Sequence, residues 1–169
     1  MNKENKIKNL INWLDKSGIQ DENGGVYSWW DSKKNKYGFF YSEITGYFIT
    51  LNLYLYKIYK TDNFLLNAEK AANWIEKNAL LENGAILTRQ YLDEKNETFS
   101  FEGKNIFSFD SGMVLTGFCY LYKETQNMKY LTIAKKIANY IIDNFITDDA
   151  INPILNLNKN RYIIDNSKW

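Results

Sequence analysis

The chain has 169 residues, enough for one domain of ordinary size, and 45% of them are hydrophobic, enough for a core. Its 21 basic and 20 acidic residues leave a formal charge of +1, so no nucleic-acid footprint and no anionic-membrane surface is written into it. With no His and one Cys, it has no His-based triad, His–carboxylate metal site or structural zinc, and any catalysis must rest on Asp, Glu, Tyr, Lys or Arg.

The N-terminus, MNKENKIKNL, has no apolar h-region, so no signal peptide is visible, and no stretch reaches the length of a membrane span. A cytoplasmic location is the expectation. The first predicted element is a helix through Asn12-Trp13-Leu14, closed by Glu22-Asn23-Gly24, where the glycine suits a turn. GVYSWWDSKKNKYGFFYS then reads as a β-hairpin turning near 32–36. GYFITLNLYLYK (46–57) is apolar nearly all round, as in a helix buried on most faces. Residues 66–77 differ. Leu65, Ala68, Ala71, Ala72 and Ile75 form an i, i+3, i+4 stripe, which predicts an outer helix with one wet face, capped by Asp62 or Asn63.

The same order then returns. Glu82-Asn83-Gly84 is followed by a hairpin-like AILTRQYLDEKNETFSF turning near 93–96. GMVLTGFCYLYK (112–123) is a second inner helix, in which Cys119 reads as a buried small hydrophobe. A second outer helix carries Leu131, Ala134, Ile137, Ala138, Ile141 and Ile142 as its apolar stripe. INPILNLNKNRYIID is a third hairpin turning near 158–160. Residues 54–78 and 120–144 align without a gap at an offset of 120 − 54 = 66, so the chain reads as a helical repeat. The fold class is all-α, with inner and outer helices in hairpins and short β-hairpins between them, in one domain over residues 1–169. After Asp165-Asn166-Ser167-Lys168-Trp169 a further inner helix would be due. The sequence thus predicts either a piece of a longer protein or closure by self-association or a partner chain.

Two acidic residues stand just before the inner helices, Glu43 in YSEITGY and Asp110 in FSFDSGM. A carboxylate there is stabilised by unsatisfied N–H groups, so each reads equally well as a helix cap. The functional reading sends both into one cavity, where two carboxylates flanking a glycosidic bond act as acid and base, or as acid and nucleophile. Trp29, Trp30 and Asp31 lie in the first hairpin. Adjacent strand residues face opposite sides, so one Trp is expected to pack inward and the other to meet solvent or a sugar. Tyr41, Tyr47, Phe107 and Phe109 surround the two acids. Arg89 and Arg161 are the two arginines. Arg89 suits an acidic sugar, or more simply a salt bridge to Asp93 or Glu94. Lys33-Lys34 and Lys135-Lys136 read as solvated surface.

GGVYSWWD, YSEITGY, LYLYKIYKTDNFLLNAEKAANWI and FSFDSGMVLTGFCYLYKETQNMKYLTIAKKIANYII together resemble bacterial and archaeal members of the six-hairpin (α/α)6 toroid superfamily, which holds glycoside hydrolases, unsaturated-uronyl hydrolases and sugar epimerases. The resemblance is strongest to polysaccharide-cluster proteins, and it covers about half a toroid. It implies an inner ring of helices whose N-terminal ends form a carbohydrate cleft, with Glu43 and Asp110 as cleft carboxylates and Trp29, Trp30 and Tyr47 as sugar contacts. Epimerases of this superfamily rely on His, and its zinc-dependent toroids need Cys and His ligands that are not here. Asp148-Asp149 alone is too weak a match to the acidic cluster of terpene cyclases. The function expected is hydrolysis of a polysaccharide by paired carboxylates, with a saccharide partner and neither cofactor nor metal. The alternatives are a non-catalytic glycan- or partner-binding half-toroid, a lyase using Tyr41, Tyr47 and Arg89, or an inactive truncated product.

Overall fold

The structure is a computed structural model that describes residues 2–92, 99–159 and 161–162. Five α-helices carry the fold: α1 (Lys3–Lys16), α2 (Ser42–Tyr59), α3 (Asp62–Trp74), α4 (Ser108–Thr125) and α5 (Met128–Phe145). A π-helical turn, Ile75–Ala79, extends α3. The strands are short: β1 (Trp30–Asp31), β2 (Lys36–Tyr37), β3 (Phe40–Tyr41), β4 (Arg89–Gln90), β5 (Asn105–Phe107), β6 (Ile154–Asn156) and β7 (Arg161–Tyr162). The chain is a partial α/α toroid, with α2 and α4 as adjacent inner helices and α3 and α5 as their outer partners.

Both inner helices have 18 residues, and their first residues lie 108 − 42 = 66 apart. Each starts four residues earlier than expected, so Glu43 and Asp110 belong to the first turns and do not precede them. Neither acid is the N-cap. That position falls to Tyr41 and Phe107, without a side-chain cap bond. The connectors fix these starts. Ser42 N–H donates to Thr88 O at 2.9 Å and its hydroxyl to Leu87 O at 2.6 Å, while Ser108 N–H donates to Pro153 O at 3.0 Å. Each inner helix thus satisfies its first free donors on the following connector.

The inner helices touch backbone to backbone. A Cβ on Gly46 would lie 2.8 Å from Met113 C and O, and one on Gly117 would lie 3.3 Å from Gly46 O. Ile49, Val114, Phe118 and Leu121 fill the seam and are fully buried. Outer helix α3 adds Ala68, Ala71, Ala72, Trp74 and Ile75, and α5 adds Tyr130, Ile133, Ala134 and Ile137. The small alanines let α3 lie close against the inner layer. Gly84 has φ +97°, and a Cβ there would meet Lys136 O at 2.3 Å, so the loop after α3 rests on the backbone of α5. Gly24 does the same against Lys70 O on α3.

Several expectations are corrected. The caps of α3 are not Asp62 or Asn63. Thr61 holds that position, and the Asn63 amide donates to Asp15 Oδ1 at 2.8 Å. The inner helices are not buried on most faces: α2 leaves Tyr47, Leu51, Tyr54 and Ile58 exposed as one stripe, and α4 exposes Phe109 and Tyr120. Cys119 is exposed on that same flank of α4, and Ile142 turns outward from α5. Helix α1 buries no residue.

The first and third hairpins form as read, with Trp30 opposite Tyr37 and Leu155 opposite Tyr162. The turn expected near 93–96 lies outside the described residues. The remaining strand pairs were not foreseen. β3 pairs with β4, and β5 with β6, so each connector adds a strand to the next. No helix among the described residues is long and apolar enough to cross a membrane.

Candidate active site

The pairing of β3 with β4 places Tyr41 opposite Arg89, directly beside the first turn of α2. From that turn Glu43 acts on the Tyr41 hydroxyl to raise its pKa, while the Arg89 guanidinium acts on it to lower it. Tyr91 acts on Arg89 as Tyr41 does, and the Arg89 Nε is buried without a hydrogen-bond partner among the described residues. Its guanidinium carbon stands 4.5 Å from the centre of the Phe99 ring, 4.8 Å from Tyr41 and 5.1 Å from Phe39. Such aromatic faces stabilise a cation that has been partly withdrawn from water. A salt bridge of Arg89 with Asp93 or Glu94 falls outside the described residues, as does the side chain of Arg161.

Asp110 comes from the first turn of α4 and is 3% exposed. Its Oδ2 accepts a short hydrogen bond from the hydroxyl of Thr88, itself 1% exposed. Burial pushes the Asp110 carboxyl up to about 6; the Thr88 bond draws it down, the nearby Glu43 carboxylate raises it further, and Arg89 lowers it. Burial likewise pushes the Tyr41 hydroxyl well above its ordinary value, assisted by Asp110 and Glu43. Tyr41 therefore keeps its proton and serves as a hydrogen-bond donor. A tyrosinate base of the kind a lyase would need is not what this environment favours.

The two acids are not equivalent positions. At the 66-residue offset Glu43 corresponds to Phe109 and Asp110 to Ile44. The Tyr41–Arg89 pair corresponds to Phe107 opposite Ile154. The Tyr41–Arg89 position of the first junction is therefore charged and its counterpart in the second is apolar, although the second keeps a buried hydrogen bond from the Asn156 amide to Asn105 Oδ1. The chemistry is concentrated at the first.

The other expected residues are distributed around this junction. Trp29 and Trp30 are both about half exposed, so neither packs inward. Trp29 stands edge-on to Phe39 at 4.9 Å, and Trp30 edge-on to Tyr37 at 4.9 Å. Asp31 holds the hairpin turn, its Oδ1 accepting from Lys33 N–H at 2.9 Å and Lys34 N–H at 3.1 Å. Trp29, Asp31, Phe39 and Tyr91 line a small cleft that reaches Arg89 through its two aromatic neighbours. Tyr47 lies elsewhere. It lines a groove of about 530 Å³ between α1 and α2, with Trp13, Leu51 and Tyr54. Phe109 is 57% exposed on the open flank of α4. The sequence reading missed Thr88, Tyr91, Phe39 and Phe99. The one available signal was that Thr88 and Tyr91 flank Arg89. Among the described residues no group of three or more Cys, Asp or Glu gathers to hold a metal ion.

The sequence model of glycosyl hydrolase family 76 matches residues 7–164. The chain belongs to glycosyl hydrolase family 76. Solved structures with the same fold include a family 76 alpha-mannanase from Bacteroides thetaiotaomicron (TM-score 0.72, 15% identity, covering 95% of this chain and 44% of that one). They also include a cellobiose 2-epimerase from Bacillus thermoamylovorans (TM-score 0.72, 13% identity, 91% and 39%). A third is a sugar epimerase from a ruminal bacterium (TM-score 0.71, 17% identity, 93% and 39%). This family 76 chain thus spans about two fifths of the length of the solved structures it matches. No curated protein sequence matches it significantly.

Proposed function

We propose that residues 1–169 form one partial-toroid domain of a glycoside hydrolase that cleaves a polysaccharide, with Asp110 as general acid and Glu43 as its counter-carboxylate. The observation that carries this reading is the pair of carboxyl groups in unequal surroundings at the N-terminal ends of adjacent inner helices. Asp110 is buried and raised to about 6, and Glu43 is only half-buried beside Tyr41. Hydrolysis of a glycosidic bond needs this asymmetry, a carboxylic acid that protonates the leaving oxygen and a carboxylate that acts on the opposite face of the ring. Family membership supports the reaction class, and the alpha-mannanase of the same family makes an α-linked mannan the first substrate to offer. The half-exposed Trp29 and Trp30 supply apolar faces of the kind that sugar rings stack on.

The test is release of reducing ends from α-mannan, with binding followed separately by calorimetry. Asp110→Asn and Glu43→Gln are each expected to lower kcat by 10³-fold or more while binding persists. Near wild-type turnover in both variants would overturn the assignment. Glycan binding without turnover in the wild type would favour the non-catalytic alternative.

A further inference from the structure

Two consecutive residues of one connector, Thr88 and Arg89, reach two carboxylates on two different helices. The Thr88 hydroxyl donates to Asp110 on α4. Arg89 stands opposite Tyr41 in the β3–β4 ladder with its guanidinium carbon 4.8 Å from that ring, and the Tyr41 hydroxyl is electrostatically coupled to both Arg89 and Glu43 of α2. Adjacent residues of an extended segment point to opposite sides, so one short connector can serve both acids at once. Both residues are packed among their neighbours. Thr88 is buried to 1% exposure, and the Arg89 guanidinium is held among Phe39, Tyr41 and Phe99, with its Nε buried. At the next junction the equivalents of Tyr41 and Glu43 are Phe107 and Phe109, so the charged arrangement is specific to this junction.

We propose that Thr88 and Arg89 are positioning residues of the hydrolytic site, Thr88 fixing Asp110 directly and Arg89 fixing Glu43 through Tyr41, without either touching the substrate. This rests on the hydrolase reading. It changes the role of Arg89 from an anion contact to a support. A support held by its own hydrogen bonds and packing keeps a reacting group in its productive geometry, and its loss is felt in kcat before KM. The groups facing the two acids are Thr88 and Arg89 on the connector, Tyr41 at the start of α2, and each acid facing the other.

The test uses carboxyl-labelled protein followed by NMR, together with kinetics on α-mannan. Thr88→Val removes the donor to Asp110, and the Asp110 midpoint is expected to rise by about one pH unit. The alkaline limb of kcat should rise with it, because the acid stays protonated to higher pH. Thr88→Ser should return both. Tyr41→Phe and Arg89→Met should each lower kcat about tenfold at constant KM, with the double variant no worse than either single one. Arg89→Lys, which keeps the charge and stem but loses the planar fork, should behave as Arg89→Met does. A midpoint unmoved in Thr88→Val, or not restored by Ser, overturns the Thr88 half. Losses that multiply to about a hundredfold in the double variant, or an Arg89→Met effect confined to KM, overturn the Arg89 half. If Asp110→Asn keeps turnover, the hydrolytic assignment fails instead, and the Thr88→Val midpoint still decides whether Thr88 governs that carboxyl.

Discussion

Replacing Asp110 by Asn should make the protein more stable, and by an amount that depends on pH. The native Asp110 carboxyl is raised to about 6 by burial. An unfolded chain holds it near 3.9, so the rise is about two pH units, or roughly 3 kcal/mol at 1.36 kcal/mol per unit. The folded value lies above the unfolded one, so the native state binds the extra proton. The stabilisation from the neutral form is fully present below about pH 4 and is lost as pH rises through 6. Asparagine never carries the charge, and its amide oxygen still accepts from the Thr88 hydroxyl. At pH 8 Asp110→Asn should therefore gain about 2–3 kcal/mol, some 5–10 °C in Tm for a chain of this size, and at pH 4 the two proteins should melt together. Thermal melts at both pH values, followed by circular dichroism, measure it. A variant less stable than wild type at pH 8, or a Tm difference that does not change with pH, would refute the view that burial of the Asp110 charge outweighs its contacts with Thr88 and Arg89. A gain in stability at the cost of turnover is the pattern expected of a residue kept for chemistry.

Three other outcomes follow from the packing. Gly84→Ala should cost several kcal/mol, because φ is +97° and the new Cβ would sit 2.3 Å from Lys136 O, and a chemical-denaturation curve will show it. Phe118→Ala opens a fully buried site in the seam between α2 and α4 and should cost about 3–5 kcal/mol by the same measurement. Trp29→Ala should weaken glycan binding by calorimetry while leaving Tm within a degree or two, since the ring is 54% exposed.

Much of the fold was legible because helices of 13 to 18 residues repeat their apolar spacing enough times to be read. The inner helices stood out by being apolar all round. That same property concealed which of their flanks has a neighbour, so exposed Cys119 and Tyr47 were indistinguishable from buried Phe118. The early starts of α2 and α4 were hidden because their first donors are satisfied by Leu87, Thr88 and Pro153, some 45 residues away. Two-residue strands carry no pattern, so the pairing of Tyr41 with Arg89 could not be read. For the site, the two acids were visible as charges beside apolar helices. Thr88 was not, since a threonine in an extended segment looks the same whether it holds a carboxylate or merely fills a strand.

The pairing of β3 with β4 also sets a clock. Glu43 leaves the ribosome 110 − 43 = 67 residues before Asp110. At a synthesis rate of about 5–20 residues per second, that is an interval of roughly 3–13 s. During this time Phe40 and Tyr41 have only the 26–28 segment to pair with, through the Tyr27–Phe40 bridge and the Tyr41 N–H to Val26 O bond, and their β4 side stays open. Thr88 and Arg89 emerge about two-thirds of the way through, so the partners of Ser42 and Tyr41 are synthesised before α4. Thr88, whose hydroxyl holds Asp110, is thus synthesised 110 − 88 = 22 residues before the carboxyl it serves.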